Sequence, residues 1–180
     1  KLRLAGVTKE FTAARTGQRT LAVSDFSLDV QPGEFICIVG PSGCGKSTVL
    51  NMVAGLEQPS SGSIEMDGKA IAGPGAERGV MFQDYALFPW KTVRGNVGFG
   101  LRHGTAGKGM KAEARDARVD HFIELVGLKG AESKYPHQLS GGLRHRVALA
   151  RLLAPGPAVL LLDAPLGALD APTRLVLPVA

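Results

Sequence analysis

Cysteine is scarce in this chain, with two among 180 residues. Cys37 lies in an apolar run and Cys44 in a glycine-rich loop. That number and placement give no basis for a disulfide framework or a zinc site, and a reducing cytoplasm is the default compartment. No apolar stretch approaches the ~20 residues needed to span a bilayer, so work at a membrane would go through a partner. The N-terminal KLRLAGVTKEF lacks the apolar core of a secretory leader and an initiator methionine, and reads as the start of a fragment. Internal repeats and low-complexity tracts are absent. Acidic residues are outnumbered 16 to 21 by basic ones, for a formal charge of +5. The basic residues are scattered apart from Arg144, His145, Arg146 and Arg151, which suits a solvated surface or, alternatively, a nucleic-acid groove. With 44% hydrophobic and 21% charged residues, the composition is that of an ordinary globular domain long enough to bury a substantial core.

The opening third reads as strands and turns. FSLDV alternates Phe26, Leu28 and Val30 on one face, the period of a half-buried strand. After the turn QPG, FICIV is continuously apolar and β-branched, which predicts a strand buried on both faces. Asp67-Gly68 predicts a tight hairpin. The middle third has a different period. Val119, Phe122, Ile123 and Val126 form a helical stripe over 110–126, with Gly127 as its stop and the glycine-rich GTAGKG before it as a mobile connection. A second helix is predicted after Leu139-Ser140, with Leu143, Val147 and Ala150 on one face, ending before PGP. AVLLL follows as a second fully buried strand. This order predicts an α/β core carrying a smaller helical subdomain.

GPSGCGKST, residues 40–48, stands between the predicted strand FICIV and the apolar-patterned TVLNMVAGL. Strand, glycine-rich turn and helix are the context that G-x-x-x-x-G-K-[ST] requires of a phosphate loop. Gly43 and Gly45 let backbone N–H groups turn inward around an anion, and the helix start adds unpaired donors. Lys46 can reach β- and γ-phosphates, and Ser47 can offer its hydroxyl to Mg²⁺. Asp163 ends the apolar run at 159–162. Alone it fits an N-cap or turn residue, but behind a phosphate loop it fits a metal-holding acid. LSGGLRHRVALAR places Ser140, Gly141 and Gly142 at a predicted helix start, a second potential anion site.

These stretches, with VMFQD and GALD, come in the order found in the ATP-binding subunits of ABC transporters, which the chain resembles over essentially its whole length. FPWKTVRGNVGFGL and YPHQLSGG resemble the nitrate/sulfonate/taurine importer group. The resemblance implies an α/β fold, a P-loop NTPase core with an antiparallel β subdomain and a helical signature subdomain, C-terminally truncated. It implies one cassette over 1–180, with core and β subdomain at about 1–90 and 155–180 and the helical subdomain at about 91–154. ATP and Mg²⁺ are the implied cofactors. Phe11 would stack on adenine, although a core role suits it too. Gly40, Pro41, Ser42, Gly43, Cys44, Gly45, Lys46, Ser47 and Thr48 would hold the phosphates. Ser47, Gln83 and Asp163 would attend Mg²⁺, with Lys46, Gln83 and Asp163 in the catalytic roles and Asp170 in the D-loop. Ser140, Gly141 and Gly142 would face the ATP of a second subunit, most simply in a homodimer. Trp90, Phe88 and Tyr85 fit either a permease contact or the helical core. The implied partners are that second subunit, transmembrane permease subunits and, indirectly, a periplasmic or extracellular solute-binding protein. No nucleic acid is implied, and the implied place is the cytoplasmic face of the cell membrane, peripherally.

Several positions depart from the family. Leu143 and His145 replace glutamines, and neither His145 nor His137 has a partner at metal-ligand spacing. Ala164 stands where the family has a glutamate that polarises the attacking water. A positioned general base contributes about 10²- to 10⁴-fold, roughly 3–5 kcal/mol of barrier. The expectation is ATP binding without efficient hydrolysis in an importer ATPase by lineage. The alternative is a hydrolysis-poor switch or the silent half of an asymmetric pair. A DNA or ribosome role is disfavoured by the short interval between phosphate loop and signature and by the single cassette. The chain ends ten positions after Asp170 without the family's switch histidine. The family's strand beside FICIV is also missing, which predicts an open apolar edge and reduced stability.

Overall fold

The structure is a computed structural model that describes residues 1–82 and 84–163. Gln83, Ala164 and Asp170 therefore lie outside the described residues. Two compact units form, Lys1–Gly75 and a second beginning at Ala76.

In the first unit, β1 (Leu2–Thr12) pairs antiparallel with β2 (Arg19–Val30) on one side and β3 (Ser61–Met66) on the other. The short β4 (Lys69–Ala70) completes a four-stranded sheet of order β2-β1-β3-β4. Phe26, Leu28 and Val30 alternate with exposed neighbours along β2, as the two-residue period predicts. The β3–β4 hairpin turns at Asp67 and Gly68, whose φ values of 50° and 74° are both left-handed, as a two-residue type I′ turn demands. Leu2, Leu4, Val7, Val23 and Ile64 are buried along this sheet. Helix α1 (Lys46–Ala54) buries Val49, Met52, Val53 and Ala54, and Gly55 closes it in a left-handed C-terminal turn.

FICIV corrects the sequence reading. Residues 35–39 form no strand, and Phe35 and Val39 are 87% and 86% exposed. A strand is a pairwise object, because its N–H and C=O groups must find a neighbour's. Among the described residues no strand pairs with this segment. Apolar composition states a preference for burial and supplies no partner.

In the second unit, β5 (Arg78–Met81) and β6 (Val159–Leu162) form a parallel pair, Arg78 opposite Val159 and Met81 opposite Leu162. AVLLL is a strand as predicted, but Leu161 alone is buried on it and Leu160 is exposed, so it is less enclosed than expected. A parallel pair needs a long crossover, and here the crossover holds α2 (Val93–Val97), α3 (Phe99–His103), α4 (Ala112–Leu125) and α5 (Gly141–Leu153). The predicted stripe of Val119, Ile123 and Val126 is buried with Val93, Val97 and Val147, and Phe122 and Leu143 pack against them. The segment read as a mobile connection contains a single 3₁₀ turn, Thr105–Gly107, with Gly107 buried.

One polar side chain organises this core. Asn96 is fully buried; its Oδ1 accepts from Phe88 N at 2.9 Å, and its Nδ2 donates to the carbonyls of Phe88, Lys91 and Thr92 at 3.0–3.1 Å. It thereby ties the FPWKT segment to α2. Replacing it leaves those backbone groups without the partner they now have. Asn96→Ala is expected to lower unfolding free energy by about 2–3 kcal/mol, measured by urea denaturation.

Candidate functional site

The loop 40–48 closes on its own lysine. Lys46 Nζ donates to the carbonyls of Gly40 at 2.9 Å and Pro41 at 2.7 Å, and lies 3.6 Å from Cys44 Sγ. The first and last turns of the loop are thus cross-braced by one ammonium. Gly43 and Gly45 have φ of 81° and 92°, a left-handed backbone that penalises any residue with a Cβ. The two glycines serve different ends. A Cβ on Gly45 would sit 2.4 Å from the Ala22 carbonyl of β2, so this glycine is required by packing. A Cβ on Gly43 meets nothing within 4 Å, so the space before it is open for a ligand. Helix α1 starts immediately after, with no side-chain cap and no acidic residue in its first turn. Its leading N–H groups lack intrahelical acceptors and carry the positive end of the helix dipole. Ser47 is exposed at this end. The local geometry therefore offers a cation, a hydroxyl and uncapped amides to an anion.

Phe11 lies at the far end of β1 opposite Thr20 and is 39% exposed. The Lys9 ammonium stands 4.9 Å from the ring centroid, and Lys9 also pairs with Glu57 at 2.9 Å. Phe11 is thus an exposed ring with a cation near it rather than a core residue.

In the second unit, Ser140 is the N-cap of α5, its Oγ accepting from Leu143 N at 3.4 Å. The predicted helix start is met at that residue. Gly141 and Gly142 follow without a left-handed φ, and a Cβ on either would meet no atom within 4 Å. Nothing described inside the chain requires glycine at either place. Asp163 follows β6, and its N–H donates to the Met81 carbonyl at 3.1 Å, which sets it at the end of the parallel pair. Among the described residues no three His, Cys, Asp or Glu side chains cluster as a metal site.

The ABC transporter family model matches residues 23–167. The chain belongs to the ABC transporter family. It is 48% identical to the uncharacterized ABC transporter ATP-binding protein MJ0412 of Methanocaldococcus jannaschii, over 98% of this chain and 64% of that one. It is 50% identical to the nitrate import ATP-binding protein NrtD of Synechococcus elongatus, over 86% of this chain and 56% of the relative. It is 51% identical to the taurine import ATP-binding protein TauB of a Jannaschia species, over 88% and 58%. The chain thus spans about three-fifths of the length of these relatives. Among solved structures, the dimeric ATP-binding cassette MJ0796 bound to ADP and Pi superposes with a TM-score of 0.84 at 32% identity, over 96% of this chain and 77% of that one. The α/β cassette fold expected from the motifs is therefore established.

Several other side chains of this ABC cassette are placed by the structure. Trp90 is 70% exposed, which removes it from the helical core. It stands 5.6 Å from Phe88, which in turn lies 4.4 Å from Phe99. His145 is buried at 4% exposure, edge-on to Tyr85 at 5.4 Å, and its Nδ1 has no hydrogen-bond partner. Burial pushes its pKa below the ordinary histidine value and favours the neutral ring. Sequence reasoning placed His145 in a basic surface cluster, and the structure corrects that: it faces the interior from α5. Arg151 was assigned to the same cluster and instead turns inward to the backbone near Tyr85. Its place four residues after Val147, on the stripe predicted to face inward, was the available signal.

Proposed function

We propose that this cassette binds MgATP and powers import of a small solute of the nitrate, sulfonate or taurine type through a membrane permease, acting peripherally at the cytoplasmic membrane face. The observation that carries the nucleotide reading is the loop at 40–48, braced by Lys46 and open in front of Gly43. The names of NrtD and TauB support the solute class. Among the described residues no helix is long and apolar enough to cross a membrane, in keeping with a permease as a separate partner. Residues 1–90 with 155–180 would serve as core and β subdomain, and 91–154 as the signature-bearing helical subdomain.

The donors present fit a magnesium nucleotide. Ser47 and Asp163 each offer an oxygen donor, a hard ligand of the kind Mg²⁺ takes beside substrate phosphates. In this reading Lys46 neutralises the β- and γ-phosphates, Ser47 offers its hydroxyl to the metal, and Asp163 and Gln83 attend it. Mg²⁺ supplies charge neutralisation across the phosphates. Phe11 stacks on adenine, while Ser140, Gly141 and Gly142 meet the ATP of a second copy, with Asp170 near the shared interface. The exposed Trp90 with Phe88 is the surface offered to the permease, and a solute-binding protein engages only through that permease. Equilibrium binding of MgATP to this chain tests the core of the proposal. A folded chain that retains no ATP at ~1 mM overturns it.

A second reading is favoured by one residue. Ala164 provides no carboxylate to orient water, so the cassette would act as a hydrolysis-poor nucleotide switch or as the silent half of an asymmetric pair.

The signature glycines give a separate expectation. Because helical backbone and open space leave room for a methyl group, Gly142→Ala is expected to hold or raise stability by up to about 1 kcal/mol. ATP-driven association, read by light scattering, is expected to be lost, since the methyl group would stand where the second copy's phosphates approach. Unchanged association in a Gly142→Ala chain would remove this residue from the shared site.

A further inference from the structure

The pairing of β1 with β2 slips by one residue beside Lys9. Lys9 stands opposite Val23 and Glu10 opposite Leu21, so Ala22 is the extra residue of a bulge in β2. The phosphate loop is seated on that bulge: a Cβ on Gly45 would lie 2.4 Å from the Ala22 carbonyl and 3.1 Å from Val23 Cγ2. Lys9 and Phe11, two residues apart, share a face of β1. Phe11 lies opposite Thr20, about 7 Å of strand beyond Lys9. Ring and loop are thus separated by a short span of one sheet, as the base and phosphates of one nucleotide are separated by its ribose.

The Lys9 ammonium is held on two sides. Nζ donates to the Gln58 carbonyl at 2.8 Å, pairs with the Glu57 carboxylate at 2.9 Å and stands over the Phe11 ring, 4.9 Å from its centre. Glu57 and Gln58 follow the left-handed turn at Gly55 that closes α1. Their segment is stitched to β1, because Ser60 N donates to the Thr8 carbonyl at 2.8 Å and Ser60 Oγ accepts from Glu10 N at 3.0 Å. One ammonium therefore joins the exit of the phosphate-loop helix to one face of the ring. Phe11 is nevertheless exposed, and among the described residues no other ring packs on it.

We propose that Lys9 is the positioning residue for Phe11: it pins one face of the ring, and the opposite face receives the base of the bound nucleotide. The ammonium holds the ring by attraction to its π-face. A ring already held gives up less side-chain freedom when a base stacks on it. The proposal rests on the reading that Phe11 stacks on adenine. Lys46 then serves the phosphates and Lys9 the base, so the two lysines are separable by ligand.

The test measures affinity for MgATP and for magnesium tripolyphosphate, which has phosphates and no base. The chains compared are the unaltered one, Lys9→Met, Lys9→Arg, Phe11→Ala and the double variant of Lys9→Met with Phe11→Ala. Phe11→Ala is expected to weaken ATP about tenfold, the usual loss of a base–aromatic stack. Lys9→Met keeps the apolar stem and removes the charge, and is expected to weaken ATP about three- to fivefold. Lys9→Arg should keep ATP within about twofold, since a guanidinium also rests on aromatic faces. Tripolyphosphate should stay within about twofold in every variant. With Phe11 already removed, Lys9→Met is expected to cost ATP nothing further, because the lysine acts through the ring. Equal losses of ATP and tripolyphosphate in Lys9→Met overturn the proposal, since Lys9 would then hold the fold and not the base. An undiminished Lys9→Met effect in the double variant also overturns it. If Phe11→Ala leaves ATP affinity unchanged, the adenine reading falls and the proposal with it. Loss in Phe11→Ala with none in Lys9→Met defeats the role of Lys9 alone. Should Lys9→Met melt below the assay temperature, Lys9→Gln, which keeps a donor for the Gln58 carbonyl, takes its place in every comparison.

Discussion

Lys46→Ala is expected to cost ATP affinity about 3 kcal/mol, roughly a hundredfold in Kd, with little change in folding stability. The two effects separate because the lysine serves two environments. Its ammonium donates to the carbonyls of Gly40 and Pro41, and both residues are exposed. When it is removed, those carbonyls are hydrated by water, so the folded chain gives up little. Alanine is also a good residue at a helix start, which offsets part of what remains. ATP has no such substitute. Its terminal phosphates lose a charge-assisted partner in a site built from neutral amides and a single cation. Calorimetric titration of MgATP, with a thermal melt on the same sample, measures both quantities. Unchanged affinity would show that the loop is not where the phosphates sit, and the functional proposal would fall with it.

Ala164→Glu has the larger expected effect, in the opposite direction. A carboxylate at that position can take a proton from the attacking water, and a placed general base accelerates such chemistry about 10²- to 10⁴-fold. The gain belongs to the transition state, so kcat should rise while ATP affinity moves by no more than a few-fold. Single-turnover hydrolysis should be compared in this chain and in a chimera continued with the C-terminal part of NrtD. The lifetime of the ATP-bound dimer should shorten in step with the rate. Ordinary turnover in the unaltered chain would refute the reading of Ala164. So would a chimera that gains nothing from the glutamate.

The two predictions rest on different kinds of information. Lys46 is argued from geometry as well as motif, because the structure shows what the side chain touches. Ala164 is argued from sequence alone, since it lies outside the described residues. Asp163, its neighbour, is described, and its backbone bond to Met81 sets it at the end of the β5–β6 pair. Gln83 likewise lies outside the described residues.

Short-range features were legible in the residues themselves. The two left-handed residues at Asp67-Gly68, the helix start at Ser140 and the buried stripe of Val119, Ile123 and Val126 all came through as expected. Each depends on interactions within a few positions along the chain, where turn preference, capping and helical period act directly. The family followed from the same short stretches, because their order is itself sequence.

Tertiary structure decided the remainder. It left FICIV without a partner strand among the described residues, turned Arg151 and His145 inward from a cluster read as surface, and made Asn96 the hub of the segment at 88–92. Arg151 finds its carbonyl acceptors 65 and 66 positions away in the chain. No local period encodes such a pairing. Whether an apolar run becomes a strand, or an arginine becomes a clamp, depends on which distant backbone groups arrive beside it when the chain collapses.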